Sequence, residues 1–153
     1  MKRLVKRNFL VMSFSIFLAG LGTAAQAHSD AAVMGIPKTF TGYAFITCSN
    51  DESGTIPTDY LEASVKDLSS PTTGLLVNLQ IHNEDSTRAI SITDPISGDA
   101  EPSDAIRLYG GNGVYHILVN KTGEGERAFE IEYHCKNNNG THTVTEIGVR
   151  QFE

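Results

Sequence analysis

The chain has 153 residues, 40% of them apolar, a formal net charge of −6 and two cysteines. That length allows one domain with a core of its own. The acidic balance excludes nucleic acid and anionic membrane surfaces as partners, and leaves cations, neutral glycans or basic proteins.

Residues 1–27 read as a secretory signal. Lys2, Arg3, Lys6 and Arg7 make a basic start, Phe9 to Leu21 is an uncharged apolar run, and Ala25-Gln26-Ala27 is the small-x-small site that signal peptidase cuts. An uncleaved anchor is the rival, because Phe9 to Ala27 is nearly long enough to span a bilayer. Its Gly, Thr, Ala and Gln end anchors poorly and cleaves well. No cysteine follows the run to carry a lipid. Cleavage removes a charge of +4 from −6, leaving 126 residues at −10 with no membrane anchor. The expected location is the periplasm or outside the cell.

His28 then becomes the first residue. Its α-amine and imidazole are two nitrogen donors, and the amine titrates near ~7.7–8, so a metal competes with its proton at neutral pH. Nitrogen and carboxylate ligands in a tetragonal arrangement suit Cu(II). A mature N-terminal histidine resembles that of lytic polysaccharide monooxygenases and of a family of periplasmic copper carriers, and the resemblance is that one residue. A second histidine is required, and spacing does not identify one. The alternative is that His28 simply follows the cut.

Residues 28–37 lack periodicity and read as a flexible N-terminal arm, with the folded domain over residues 38–153. Beyond the arm the pattern has period two. Phe40 to Cys48 is aromatic and β-branched. Leu61, Ala63 and Val65 alternate with polar residues. Leu75, Val77, Leu79 and Ile81 face one way, and Asn78, Gln80 and His82 the other. Ala89 to Thr93 and Ala105 to Tyr109 are short strands. Val114 to Asn120 and Ala128 to Cys135 read as a hairpin, Asn137 to Gly140 as a turn, and His142 to Val149 as a last strand with a bulge between Val144 and Ile147.

Roughly seven to eight short strands with turn residues between them predict an all-β fold: a single antiparallel β-sandwich, Ig-like or jelly-roll-like, with an open barrel as the runner-up. An even cysteine count in an exported chain predicts a Cys48–Cys135 disulfide tying the first strand to the penultimate one. Tyr133-His134-Cys135 is similar to the Tyr-x-Cys of immunoglobulin domains, although the chain has no tryptophan. The segment Gly111 to Tyr133 is similar to a hairpin of secreted pre-peptidase C-terminal modules. Neither resemblance carries over a functional residue.

No nucleophile elbow, phosphate-binding glycine loop or His-Glu-x-x-His motif is present, so no enzymatic activity is expected. Pairing like with like in the hairpin sets Ile117 against Ile131, Val119 against Phe129 and Tyr115 against Tyr133. That register places His116 opposite Glu132 and diagonal to His134, a face able to share Cu or Zn. The competing reading is an ordinary solvated face. Asp94, Asp99, Glu101 and Asp104 offer oxygens for Ca²⁺, or simply form a solvated loop. His82 and His142 read as surface residues. The expectation is an exported, non-enzymatic binding or interaction module for a protein, glycan or metal. The alternative is a periplasmic copper- or zinc-binding protein using His28 or the His116/Glu132/His134 face.

Overall fold

Val77, Leu79 and Ile81 are wholly buried while Gln80 between them is exposed. This alternation recurs along the chain and builds two facing sheets. The structure is a computed structural model and describes residues 28–85 and 87–152. The expected signal at residues 1–27 lies outside the described residues. The strands are β1 (His28–Met34), β2 (Gly42–Ser49), β3 (Tyr60–Asp67), β4 (Val77–Asn83), β5 (Ala89–Thr93), β6 (Ile106–Tyr109), β7 (Gly113–Lys121), β8 (Arg127–Lys136) and β9 (Val144–Phe152). They form a four-stranded sheet in the order β1-β8-β3-β6 and a five-stranded sheet in the order β5-β4-β7-β2-β9, with every pairing antiparallel.

The core fills the space between the sheets. Leu61, Ala63 and Val65 of β3 and Phe129, Ile131 and Tyr133 of β8 point in from one side. Ile46 of β2, Val77, Leu79 and Ile81 of β4, and Tyr115, Ile117 and Val119 of β7 point in from the other. Burying each large aliphatic side chain contributes about 1.5–3 kcal/mol. Cys48 on β2 and Cys135 on β8 are joined by a disulfide that crosses this core from one sheet to the other.

Three features differ from the sequence reading. The segment expected to be a flexible arm is strand β1, paired with β8 from His28↔Tyr133 to Met34↔Arg127. It lacks a clear period because an edge strand buries little: only Met34 is fully enclosed, and backbone pairing supplies most of the attachment. The bulge lies elsewhere. Thr145, Ile147 and Val149 oppose Cys48, Ile46 and Ala44 in regular alternation, and the register shifts at the next step, where Tyr43 pairs with Gln151.

The third difference is the hairpin. β7 pairs with β2 and β4, whereas β8 pairs with β1 and β3, so the two strands belong to opposite sheets. The residues matched as like with like do face a shared interior, but across the core rather than side by side. The crossing is held at its base by Lys121, whose ammonium donates to the carbonyls of Gly35, Ile36 and Gly125. Burial, and then the nearby Arg127, hold that amine below its ordinary pKa.

Candidate functional site

The five histidines of the chain fall into two groups. His28, His134 and His142 gather at one end of the four-stranded sheet. His82 and His116 sit on the outer face of the five-stranded sheet.

His134 follows from the alternation of β8: Ile131, Tyr133 and Cys135 point inward, so His134 points out. It is nevertheless only 6% exposed, because neighbours close over it. Chain pairing brings His28 alongside at the start of β1, with its ring centre 6.0 Å from that of His134 and also 6.0 Å from that of Tyr133. The turn after β8 brings His142. There the Asn137 side-chain oxygen accepts the amides of Asn139 (3.0 Å) and Thr141 (2.9 Å), while the Gly140 amide donates to the Asn137 carbonyl (2.9 Å). Gly140 takes φ +78°, a left-handed conformation that glycine adopts without strain. The chain then returns so that His142 bridges Lys136, and its ring centre lies 4.6 Å from that of His134.

The electrostatics of this end are mixed. His134 Nε2 lies 3.0 Å from a Glu132 carboxylate oxygen. Glu62 stands opposite His134 in the β3–β8 register and holds Lys136 and Arg107. Loss of water, then His134, Lys136 and His28, lower the His142 pKa against the opposing pull of Glu62. The Nδ1 atoms of His28 and His134 are buried without a hydrogen-bond partner. An unpaired buried nitrogen is costly, so two in one cluster call for an explanation. Among the described residues no group of three His, Cys, Asp or Glu side chains is placed so that it could hold a metal ion. The rings are gathered, and their nitrogens have still to be turned toward a common point.

The expected His116/Glu132/His134 face does not form. His116 belongs to the five-stranded sheet and the other two to the four-stranded sheet, so the core separates them. Glu132 and His134 do meet, as neighbours on one face of β8. His116 instead faces His82, directly across β4–β7, with ring centres 4.5 Å apart and planes 17° from parallel. Tyr43 Oη is 2.7 Å from His116 Nδ1. Burial first, then the charge of His116, lower the His82 pKa. The two rings, with Thr41, Tyr43 and Leu118, line a surface cavity of about 400 Å³.

The acidic loop is not a clear cation site either. Asp94 is 1% exposed, and its carboxylate accepts the Asp67 amide at 2.8 Å. Asp67 in turn lies 3.4 Å from the buried Arg127 guanidinium. His82 and His142 lie at the surface, as the sequence predicts, and it is their ring neighbours that the sequence reading did not assign. For His142 a signal existed: the Asn137–Gly140 turn folds it back onto the end of β8. For His82 the signal needed knowledge of which strand lies beside β4.

Comparison of the chain with protein-family models, with curated proteins and with solved structures finds no significant match.

Proposed function

We propose that this protein is an exported, non-enzymatic binding module whose ligand is a divalent transition metal, held by His28, His134 and His142. The observation that carries the reading is the pair of buried, unpartnered Nδ1 atoms within one three-histidine cluster. A metal about 2.0 Å from an imidazole nitrogen lies about 3.2 Å from the ring centre, so rings sharing one ion stand roughly 4.5–6.4 Å apart. The separations of 4.6 and 6.0 Å fall in that range.

The Cys48–Cys135 disulfide supports an oxidising compartment. The basic start, apolar run and Ala25-Gln26-Ala27 support export and cleavage, which frees the His28 amine as a further nitrogen donor. Imidazole and amine nitrogens together favour Cu(II) over Zn²⁺. Glu132, bonded to His134 Nε2, acts as the outer partner that leaves Nδ1 available.

The test is calorimetric titration of the His28-initiated protein with Cu²⁺ and Zn²⁺, alongside mass spectrometry of the exported chain to identify its first residue. His134→Ala with His142→Ala is expected to weaken the tightest Cu²⁺ site at least tenfold. Unchanged affinity in the double variant sinks the reading.

A further inference from the structure

We infer that His82 and His116 form a second, independent transition-metal site on the outer face of the five-stranded sheet, chelating Cu²⁺ or Ni²⁺ through one nitrogen each. The geometry supports this before any chemistry is added. The two residues are exact cross-strand partners in the β4–β7 register, so their Cβ atoms are held at sheet spacing by the flanking backbone bonds. The buried neighbours Ile81 and Ile117 lock both strands to the core. The chelating pair is therefore preorganised by the sheet and does not depend on a loop.

Two imidazole nitrogens on adjacent strands suit neighbouring positions around a tetragonal Cu(II) or Ni(II) ion, with water filling the rest. The ring planes, now 17° from parallel, must splay for both lone pairs to meet the ion. Both rings are half-buried at the surface, and the cavity of about 400 Å³ beside them gives room for that movement and for the waters completing the sphere.

Tyr43 supplies the outer contact. Tyr43 Oη lies 2.7 Å from His116 Nδ1, and in the Nδ1–H tautomer, where the ring donates to Tyr43, Nε2 keeps its lone pair for the ion. Tyr43 is thus a positioning residue, and His82 and His116 are the ligands.

The experiment uses the full exported chain carrying His28→Ala, His134→Ala and His142→Ala, which removes all three imidazoles of the other cluster, and Cu²⁺ as the probe. Titration followed by electron paramagnetic resonance is expected to show one Cu²⁺ with two imidazole nitrogens. Adding His82→Ala or His116→Ala should lower the affinity at least tenfold and leave at most one imidazole nitrogen in the spectrum. Tyr43→Phe should keep both nitrogens and weaken binding several-fold. His82 and His116 are surface side chains, so circular dichroism and melting of each variant should match the parent. The inference is overturned if this triple variant binds no Cu²⁺ at micromolar concentrations, or if His116→Ala leaves affinity and spectrum unchanged. Each site is tested in the other's absence. A protein that loses an ion only with His134 and His142 keeps the proposed function and discards this one. A protein that loses an ion only with His82 and His116 does the reverse.

Discussion

Cys48 and Cys135 lie in different sheets, and the bond between them crosses the middle of the core. The chain segment it closes spans a sequence separation of 87 residues. On loop-closure entropy, such a bond stabilises the fold by about 4–5 kcal/mol. Cys48→Ala with Cys135→Ala is expected to shift the denaturant midpoint down by a corresponding amount, with the slope of the transition also altered as the unfolded chain expands. An unfolding free energy within about 1 kcal/mol of the parent's would show that the buried side chains around the bridge hold the sheets together without it.

Arg127 is 1% exposed and Asp67 fully enclosed, with 3.4 Å between guanidinium and carboxylate. Arg127 also donates to the Ser70 carbonyl at 2.7 Å, and Asp67 accepts the Ser69 amide at 2.9 Å. The pair therefore pins the crossing from β7 to β8 against the end of β3. Arg127→Met removes one charge and leaves the other enclosed, which costs about 3–5 kcal/mol. Replacing both, as Arg127→Met with Asp67→Leu, is expected to cost clearly less than Arg127→Met alone. Chemical denaturation of the three proteins checks this, and equal losses for single and double variants would mean that the hydrogen bonds to Ser69 and Ser70 dominate.

Strand positions were legible in the sequence because one face of each strand meets the core, and alternation such as Val77, Leu79, Ile81 records that contact directly. Strand partners were not. Tyr115, Ile117 and Val119 match Tyr133, Ile131 and Phe129 equally well as hairpin neighbours or as opposite walls of a sandwich, since both arrangements bury the same face. Strand β1 was invisible for the opposite reason: Ser29, Asp30 and Ala31 are exposed, and an edge strand is held largely by backbone bonds that leave no side-chain pattern. The candidate site inherits both problems. His28 stood out only through the cut expected after Ala27, and its approach to His134 depends on β1 pairing with β8.

Asp51 gives a pH-dependent loop. Its carboxylate accepts the amides of Ile56 and Thr55 at 2.8 Å each and the Ser53 hydroxyl at 2.6 Å. The Ile56 amide, then the Ser53 hydroxyl, lower its pKa below 3.8. A depressed folded pKa means that the loop's stabilisation is complete above the unfolded value and is lost as pH falls through the folded one. The amide signals of Thr55 and Ile56 should therefore titrate together with a midpoint below 3.8, and Asp51→Asn should abolish the titration. A midpoint at or above 3.8 would show that these bonds are not kept in solution.

In the proposed protein cut after Ala27, the free amine distinguishes a chelating His28 from a ring that merely lies nearby. Placing one alanine ahead of His28 keeps the imidazole, the β1–β8 pairing and the buried Met34 end of the strand, but moves the amine a residue away. If amine and imidazole bind one ion together, this extension removes a nitrogen donor, and Cu²⁺ affinity at the His134 cluster should fall at least about tenfold. Zn²⁺ affinity, resting on the three imidazoles, should change less. Competition against a chelator of known strength, with His82→Ala and His116→Ala in place to silence the other sheet, measures both. Equal Cu²⁺ affinity with and without the added alanine would restrict the site to the imidazoles of His28, His134 and His142. In that case the position of the signal cleavage would have no bearing on metal binding.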